Sequence, residues 1–170
     1  MAGNKYIANN AGALTEVAGQ QTSAGVGDAN KIPALDATGR LDLTLLPSGV
    51  GPDTASVQAS ENLAAGDVVN VYDGGAGAFR VRKADAATNK PAHGYVLAGV
   101  TSGANATIYF EGRNNQVSGL TPGYRFLSVT TPGLTQAAAP TVAGQIVQNL
   151  GVAVNATELN FEPAQSILLA

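Results

Sequence analysis

Asn62-Leu63-Ala64-Ala65-Gly66-Asp67 and Gly119-Leu120-Thr121-Pro122-Gly123-Tyr124 share the pattern Leu-x-x-Gly at an offset of 57 residues. The same offset carries Gly94 in His93-Gly94-Tyr95-Val96 onto Gly151 in Leu150-Gly151-Val152-Ala153. Each copy closes on a similar pair, Ala106-Thr107-Ile108-Tyr109-Phe110-Glu111 and Ala156-Thr157-Glu158-Leu159-Asn160-Phe161-Glu162, the second arriving early by six residues. A recurring strand–turn–strand unit of this kind predicts a domain built from two copies of one supersecondary motif. In each copy the Leu would plug the core and the Gly would allow a tight turn into the next strand, as in a pseudo-twofold barrel.

The surrounding segments read as strands. Val57–Ala59, Asp67–Tyr72, Phe79–Lys83, Gly94–Val100, Thr107–Glu111, Tyr124–Val129, Ile146–Val154 and Glu158–Glu162 are short runs carrying Val, Ile, Tyr or Phe, separated by Gly, Pro, Asn and Asp clusters. Asp73-Gly74-Gly75-Ala76-Gly77 reads as a hairpin connection. The expected fold class is all-β: an antiparallel β-barrel or sandwich with an internal pseudo-repeat over residues 54–170, preceded by an extended N-terminal arm over residues 1–53.

The arm is polar and turn-forming at Asn9-Asn10, Gly19–Gly25 and Gly49–Pro52. Within it, residues 31–47 (Lys31-Ile32-Pro33-Ala34-Leu35-Asp36-Ala37-Thr38-Gly39-Arg40-Leu41-Asp42-Leu43-Thr44-Leu45-Leu46-Pro47) alternate apolar pieces with turn signals. A short strand, a turn at Asp36–Gly39, and a helical turn over Leu43–Leu46 capped by Asp42 and ended by Pro47 are expected. One reading is a flexible linker. We favour the other, in which Ile32, Leu35, Leu41, Leu43, Leu45 and Leu46 are buried against another chain, because so short a stretch cannot hide them itself.

Composition narrows the function. The chain has 170 residues, 12% charged, 45% hydrophobic but only 5% aromatic, with 21 Gly, no Cys, no Trp and a net charge of −3. A core rich in small residues removes little apolar area per residue, so oligomerisation is the expected source of further stability. The acidic balance provides no basic excess for a nucleic-acid backbone, and no nucleic-acid partner is expected. Apolar runs such as Tyr95–Ala98 fall well short of the ~20 residues of a membrane span. The first residues, Met1–Ile7, lack a secretory apolar region, so synthesis in a cytoplasm without such a signal is expected.

Chemistry is sparse. Without Cys and with one His, disulfides, thiol catalysis and multi-His metal sites are excluded. His93 could act as a base only with an orienting carboxylate and a nucleophile. Ser60, Ser102 and Ser118, with Asp67 or Asp85, sit in no spacing that implies an activated serine. Glu111 and Glu162 end equivalent strands and read as strand-end residues rather than a glycosidase pair. Asp73 lacks the repeated Asp pattern of a calcium loop. We expect no catalytic residue, no metal site and no cofactor. Arg80 and Arg82 alternate onto one face of a strand, either as a solvated face or as a docking contact for an acidic protein surface.

The segment Gly27–Asp42 with Leu45-Leu46-Pro47 resembles the N-terminal segment of the tailed-bacteriophage capsid decoration (head-cement or head-fibre) proteins. Leu63–Val69, Arg82–Asp85, Ala92–Val96 and Leu159–Pro163 are similar to the β-domain that follows it there, so the likeness runs from about Gly27 to Pro163. Segments of the form Lys-Ile-x-x-Leu-Asp-x-x-Gly-x-Leu-Asp also occur in trimeric phage fibres and tail proteins. The resemblance implies a non-enzymatic virion protein, assembled in the host cytoplasm. It would sit as a homotrimer on the outer capsid surface, against the major capsid protein. It implies no catalytic residues. The alternative is a trimeric head- or tail-fibre segment whose β-domain is a glycan-binding tip, for which Tyr72, Phe79, Tyr95, Tyr109, Phe110, Tyr124, Phe126 and Phe161 are the supply of aromatics, most of them lying where alternation buries them.

Overall fold

The computed structural model describes residues 5–47 and 50–170. Met1–Asn4, included in the reading for a secretory signal, and Ser48–Gly49, at the start of the Gly49–Pro52 turn, lie outside the described residues. Nearly every element is a strand, and no α-helix occurs among the described residues, so none is long and apolar enough to cross a membrane. The chain divides into two units, Met1–Gly51 and Pro52–Ala170.

The first unit contains a hairpin where the sequence was expected to be irregular. Strands β1 (Lys5–Asn10) and β2 (Ala13–Ala18) pair antiparallel with Asn10 opposite Ala13. Ala11 (φ 52°) and Gly12 (φ 92°) form the two-residue loop in the left-handed conformation, the turn whose twist matches paired strands. The Asn9 side chain accepts the Gly12 N–H at 2.9 Å. Beyond the hairpin, Gln20 forms a parallel bridge with Pro33, and only this bridge marks the place where a short strand was expected. Two 3-10 turns complete the unit, at Val26–Asp28 and Leu43–Leu45.

The second unit is all-β. Strands β3 (Thr54–Ala59), β4 (Val68–Asp73), β5 (Phe79–Lys83), β6 (Gly94–Tyr95) and β7 (Asn105–Tyr109) close into a barrel in the order β3-β5-β4-β6-β7. Strands β8 (Gly112–Asn114), β9 (Gly123–Leu127), β10 (Thr135–Gln136), β12 (Asn149–Asn155) and β13 (Glu158–Phe161) form a sheet ordered β10-β9-β12-β13-β8. A small ribbon pairs β11 (Ile146–Val147) with β14 (Ile167–Leu168).

The internal repeat is visible in this topology. Replacing β5, β4, β6, β7 and β3 by β10, β9, β12, β13 and β8 reproduces the neighbour order of the first copy in the second. The copies differ at one seam. In the first, β3 and β5 pair in parallel through Gln58–Arg80 and Ala59–Val81 and close the barrel, an exception to the expected antiparallel pairing. In the second, β8 and β10 remain unpaired edges.

The two glycines aligned by the offset have one purpose. Gly94 lies opposite Val69, and a Cβ there would meet Ile108 Cγ2 at 2.5 Å and the Tyr109 carbonyl at 2.6 Å. Gly151 lies opposite Arg125 with φ 114°, and a Cβ would drive into the Asn160 carbonyl. Both admit the backbone of the following strand closer than any side chain would allow.

The core has two parts. Val69, Val81, Val96, Ala106 and Ile108 fill the closed barrel. Tyr95, Leu127, Ile146, Leu150, Leu159 and Phe161, with Val68 and small alanines, pack the region shared by the two copies. Tyr95 stacks on Tyr109 at 5.5 Å and meets Phe161 edge-on at 5.2 Å, so three of the few aromatics tie the copies together. Gln148, buried, interrupts the run expected as one strand from Ile146 to Val154. Its side chain accepts the Ala92 N–H (2.7 Å) and donates to the Ala92 and Ala164 carbonyls (2.9 and 3.0 Å), replacing a stretch of ladder. The expected strand Gly94–Val100 is cut to two residues because Val96 turns to exchange bonds with Gly66 and Asp67, leaving only a bridge between Leu63 and Val100.

Candidate interaction surface

The first unit is ordered by hydrogen bonds rather than by a core. The Gln20 N–H donates to the Ile32 carbonyl and the Gln20 carbonyl accepts the Ala34 N–H, both at 2.9 Å, Gln21 donates to the Leu35 carbonyl at 2.8 Å, and the Ser23 N–H donates to Thr44 Oγ1 at 2.8 Å. Three aspartates shape its turns. Asp28 accepts the Ala24 N–H (2.6 Å) and Lys31 Nζ (2.7 Å). Asp36 accepts the Thr38 N–H, the Thr38 hydroxyl and the Arg40 N–H at 2.7–3.0 Å. Asp42 caps the Leu43–Leu45 turn through the Thr44 N–H (2.9 Å) and hydroxyl (2.6 Å).

Those bonds hold all three carboxyls below their ordinary range. The chief cause is the Lys31 side chain at Asp28, the Arg40 N–H at Asp36 and the Thr44 side chain at Asp42. Because each folded pKa is depressed, the stabilisation is complete above the ordinary value of 3.8 and is lost as pH falls through the lower folded values. Carboxyl ¹³C titrations should therefore give midpoints below 3.8 for these three groups, with amide protection at Thr38, Arg40 and Thr44 disappearing over the same range. Midpoints at the ordinary value would show that the turns do not persist in solution.

What this ordered backbone displays is apolar. No described residue from 5 to 51 is buried. Val26 is 94% exposed, Leu14 75% and Ile7 66%. Ile32, Leu35, Leu41 and Leu43 lie near 50%, and Leu45 and Leu46 are half-buried. All six positions singled out in residues 31–47 thus retain apolar surface in the single chain. The hairpin, whose Ile7 and Leu14 share one face, carries no clear signal in the sequence. Its Ala-Gly turn lacks the Asn-Gly or Asp-Gly signature that marks such a loop.

Arg80 and Arg82 do share a face of β5, opposite Tyr72 and Asn70 of β4. Arg82 lies over the Tyr72 ring at 4.0 Å, and its Nε donates to Asn70 Oδ1 at 3.0 Å, which holds it against the barrel wall. The Arg80 stem covers Gly74.

The other side chains weighed for chemistry have local duties. His93 Nδ1 accepts the Val71 N–H at 3.1 Å, and burial holds its pKa below the ordinary value. The Ser60 and Ser102 hydroxyls donate to the Val81 and Ser60 carbonyls. Asp73 accepts the Gly75 N–H in the β4–β5 turn. Asp67 is paired with Lys83 at 3.1 Å, and Asp85 accepts from Ala87 and Thr88. Glu111 and Glu162 are exposed strand-end residues. Among the described residues no group of three His, Asp or Glu converges as a metal site.

The chain matches no family model, no curated protein and no solved structure.

Proposed function

We propose that this chain is a structural protein of a tailed-phage virion. In this reading it is a capsid decoration protein that binds the outer surface of the major capsid shell as a homotrimer and stabilises the head. The observation that carries the reading is the first unit: a backbone held in defined turns, with no buried residue among those described and with apolar side chains along its length. A two-stranded hairpin is marginal alone, and fully burying each Leu, Ile or Val would contribute ~1.5–3 kcal/mol. Such a segment is completed by other subunits. The second unit has its own core and needs no such help. The sequence resemblance over residues 27–163 supports the same reading.

Co-sedimentation of the purified chain with undecorated capsid shells tests it. Saturable binding by the full chain, lost when residues 1–50 are removed, is expected. Undiminished trimer formation and capsid affinity after that removal would sink it. The fibre-tip alternative draws on Phe79 (75% exposed) and Tyr124 (68% exposed), the two aromatics open to a sugar ring. Glycan binding that is lost with Phe79→Ala or Tyr124→Ala, without capsid binding, would favour it instead.

A further inference from the structure

The second repeat builds its interior on a charge. Strand pairing sets Arg125 opposite Gly151, the place that Val69 takes opposite Gly94 in the first repeat. A guanidinium thus stands where the closed barrel has a fully buried valine, and it is itself only 6% exposed. It donates from Nε to Thr135 Oγ1 at 3.3 Å, from Nη1 to Thr121 Oγ1 at 3.2 Å and from Nη2 to the Thr135 carbonyl at 3.5 Å. These are long for a cation, engage only neutral acceptors and use three of its N–H groups, leaving two. Among the described residues no carboxylate lies within ion-pair distance of it. Burial lowers its pKa, the mark of a charge desolvated without compensation.

The seam beside Arg125 is open. Where β3 and β5 seal the first copy, β8 and β10 leave a gap, and a cavity of about 300 Å³ lies at that seam, lined by Arg125, Thr135, Gly133, Ser118 and Leu120. Asp67 also contributes to its wall, but that carboxylate is already held by Lys83 Nζ at 3.1 Å and the Ala64 N–H at 2.8 Å. Arg125 is left as the charge without a counter-ion. No aromatic lines the cavity, so it offers nothing for a neutral sugar to stack on.

We propose that this seam cavity binds a compact carboxylate, a simple organic acid or a sugar acid, whose oxygens accept the remaining Arg125 N–H groups. The inference does not depend on the virion role. The full chain is titrated at constant ionic strength with acetate, with glucuronate and with neutral glucose, following the Arg125 Nε–H resonance and the melting temperature. Saturable shifts with both acids in the millimolar range, a raised melting temperature and no response to glucose are expected. Tighter binding of glucuronate would identify the sugar acid, and equal binding the carboxylate alone. Arg125→Lys, which keeps the charge but loses the planar fork, should weaken binding about tenfold. Arg125→Leu, which restores the apolar character of Val69, should abolish the melting response while the chain stays folded. No saturable shift with either acid in the unaltered chain overturns the proposal. So does an undiminished melting response in Arg125→Leu.

Discussion

Light scattering on the full chain should return a mass near three times 17.0 kDa, and a chain beginning at Gly51 should return a single subunit that is still folded. The two units differ sharply in what they bury. From Pro52 onward, Tyr95, Phe161, Ile108 and the surrounding valines and leucines are fully buried, and every residue of that core belongs to the second unit. Before it, no described residue is buried, and Ile7, Leu14, Val26 and the 31–47 leucines expose apolar area, which the proposed trimer would cover. Leu41→Asp or Leu45→Asp should act like truncation. A carboxylate placed in that interface without a partner should weaken association by at least ~2 kcal/mol, about thirtyfold. A monomer at every concentration would remove the trimer from the proposal.

Gly151→Ala should be the most damaging single change in the second unit. The residue sits at φ 114°, where an L side chain is strained, and its Cβ would enter the Asn160 carbonyl, a backbone atom that cannot swing aside. Left-handed strain of ~1–3 kcal/mol adds to the displacement of β13 from β12, so a loss of ~3–5 kcal/mol is expected. Gly94→Ala should be milder, because its φ is ordinary and part of the clash is with the Ile108 side chain, although the Tyr109 carbonyl stands only 2.6 Å away. Denaturant midpoints measure both. Equal, small effects would mean that β12 and β13 do not approach as closely in solution.

The glycine pair illustrates how much could be read beforehand. The offset of 57 was visible in the letters, because a close backbone approach admits no residue but glycine at both places. The Asp36–Gly39 turn and the Asp42 cap were equally legible, since an aspartate bonding an N–H two residues on is a local event. The hairpin at Lys5–Ala18 was not: its loop is Ala-Gly, and its strands mix Asn, Thr and Glu with few apolar residues. The Ile146–Val154 run has the composition of one strand, because nothing in it shows that Gln148 turns inward to replace a ladder with side-chain bonds to Ala92.

By itself, then, the sequence determined the all-β class, the doubled unit, most strand positions and the turns of the first unit. Each of these rests on residue preferences acting over a few positions or on exact repetition. Only the tertiary structure decided which edges meet: that β3 and β5 close one copy in parallel while β8 and β10 leave the other open, and that Arg125 occupies the core place of Val69 beside that opening. Pairing between distant strands depends on loop lengths and on the fit of all neighbours at once, and no short stretch of residues carries that information.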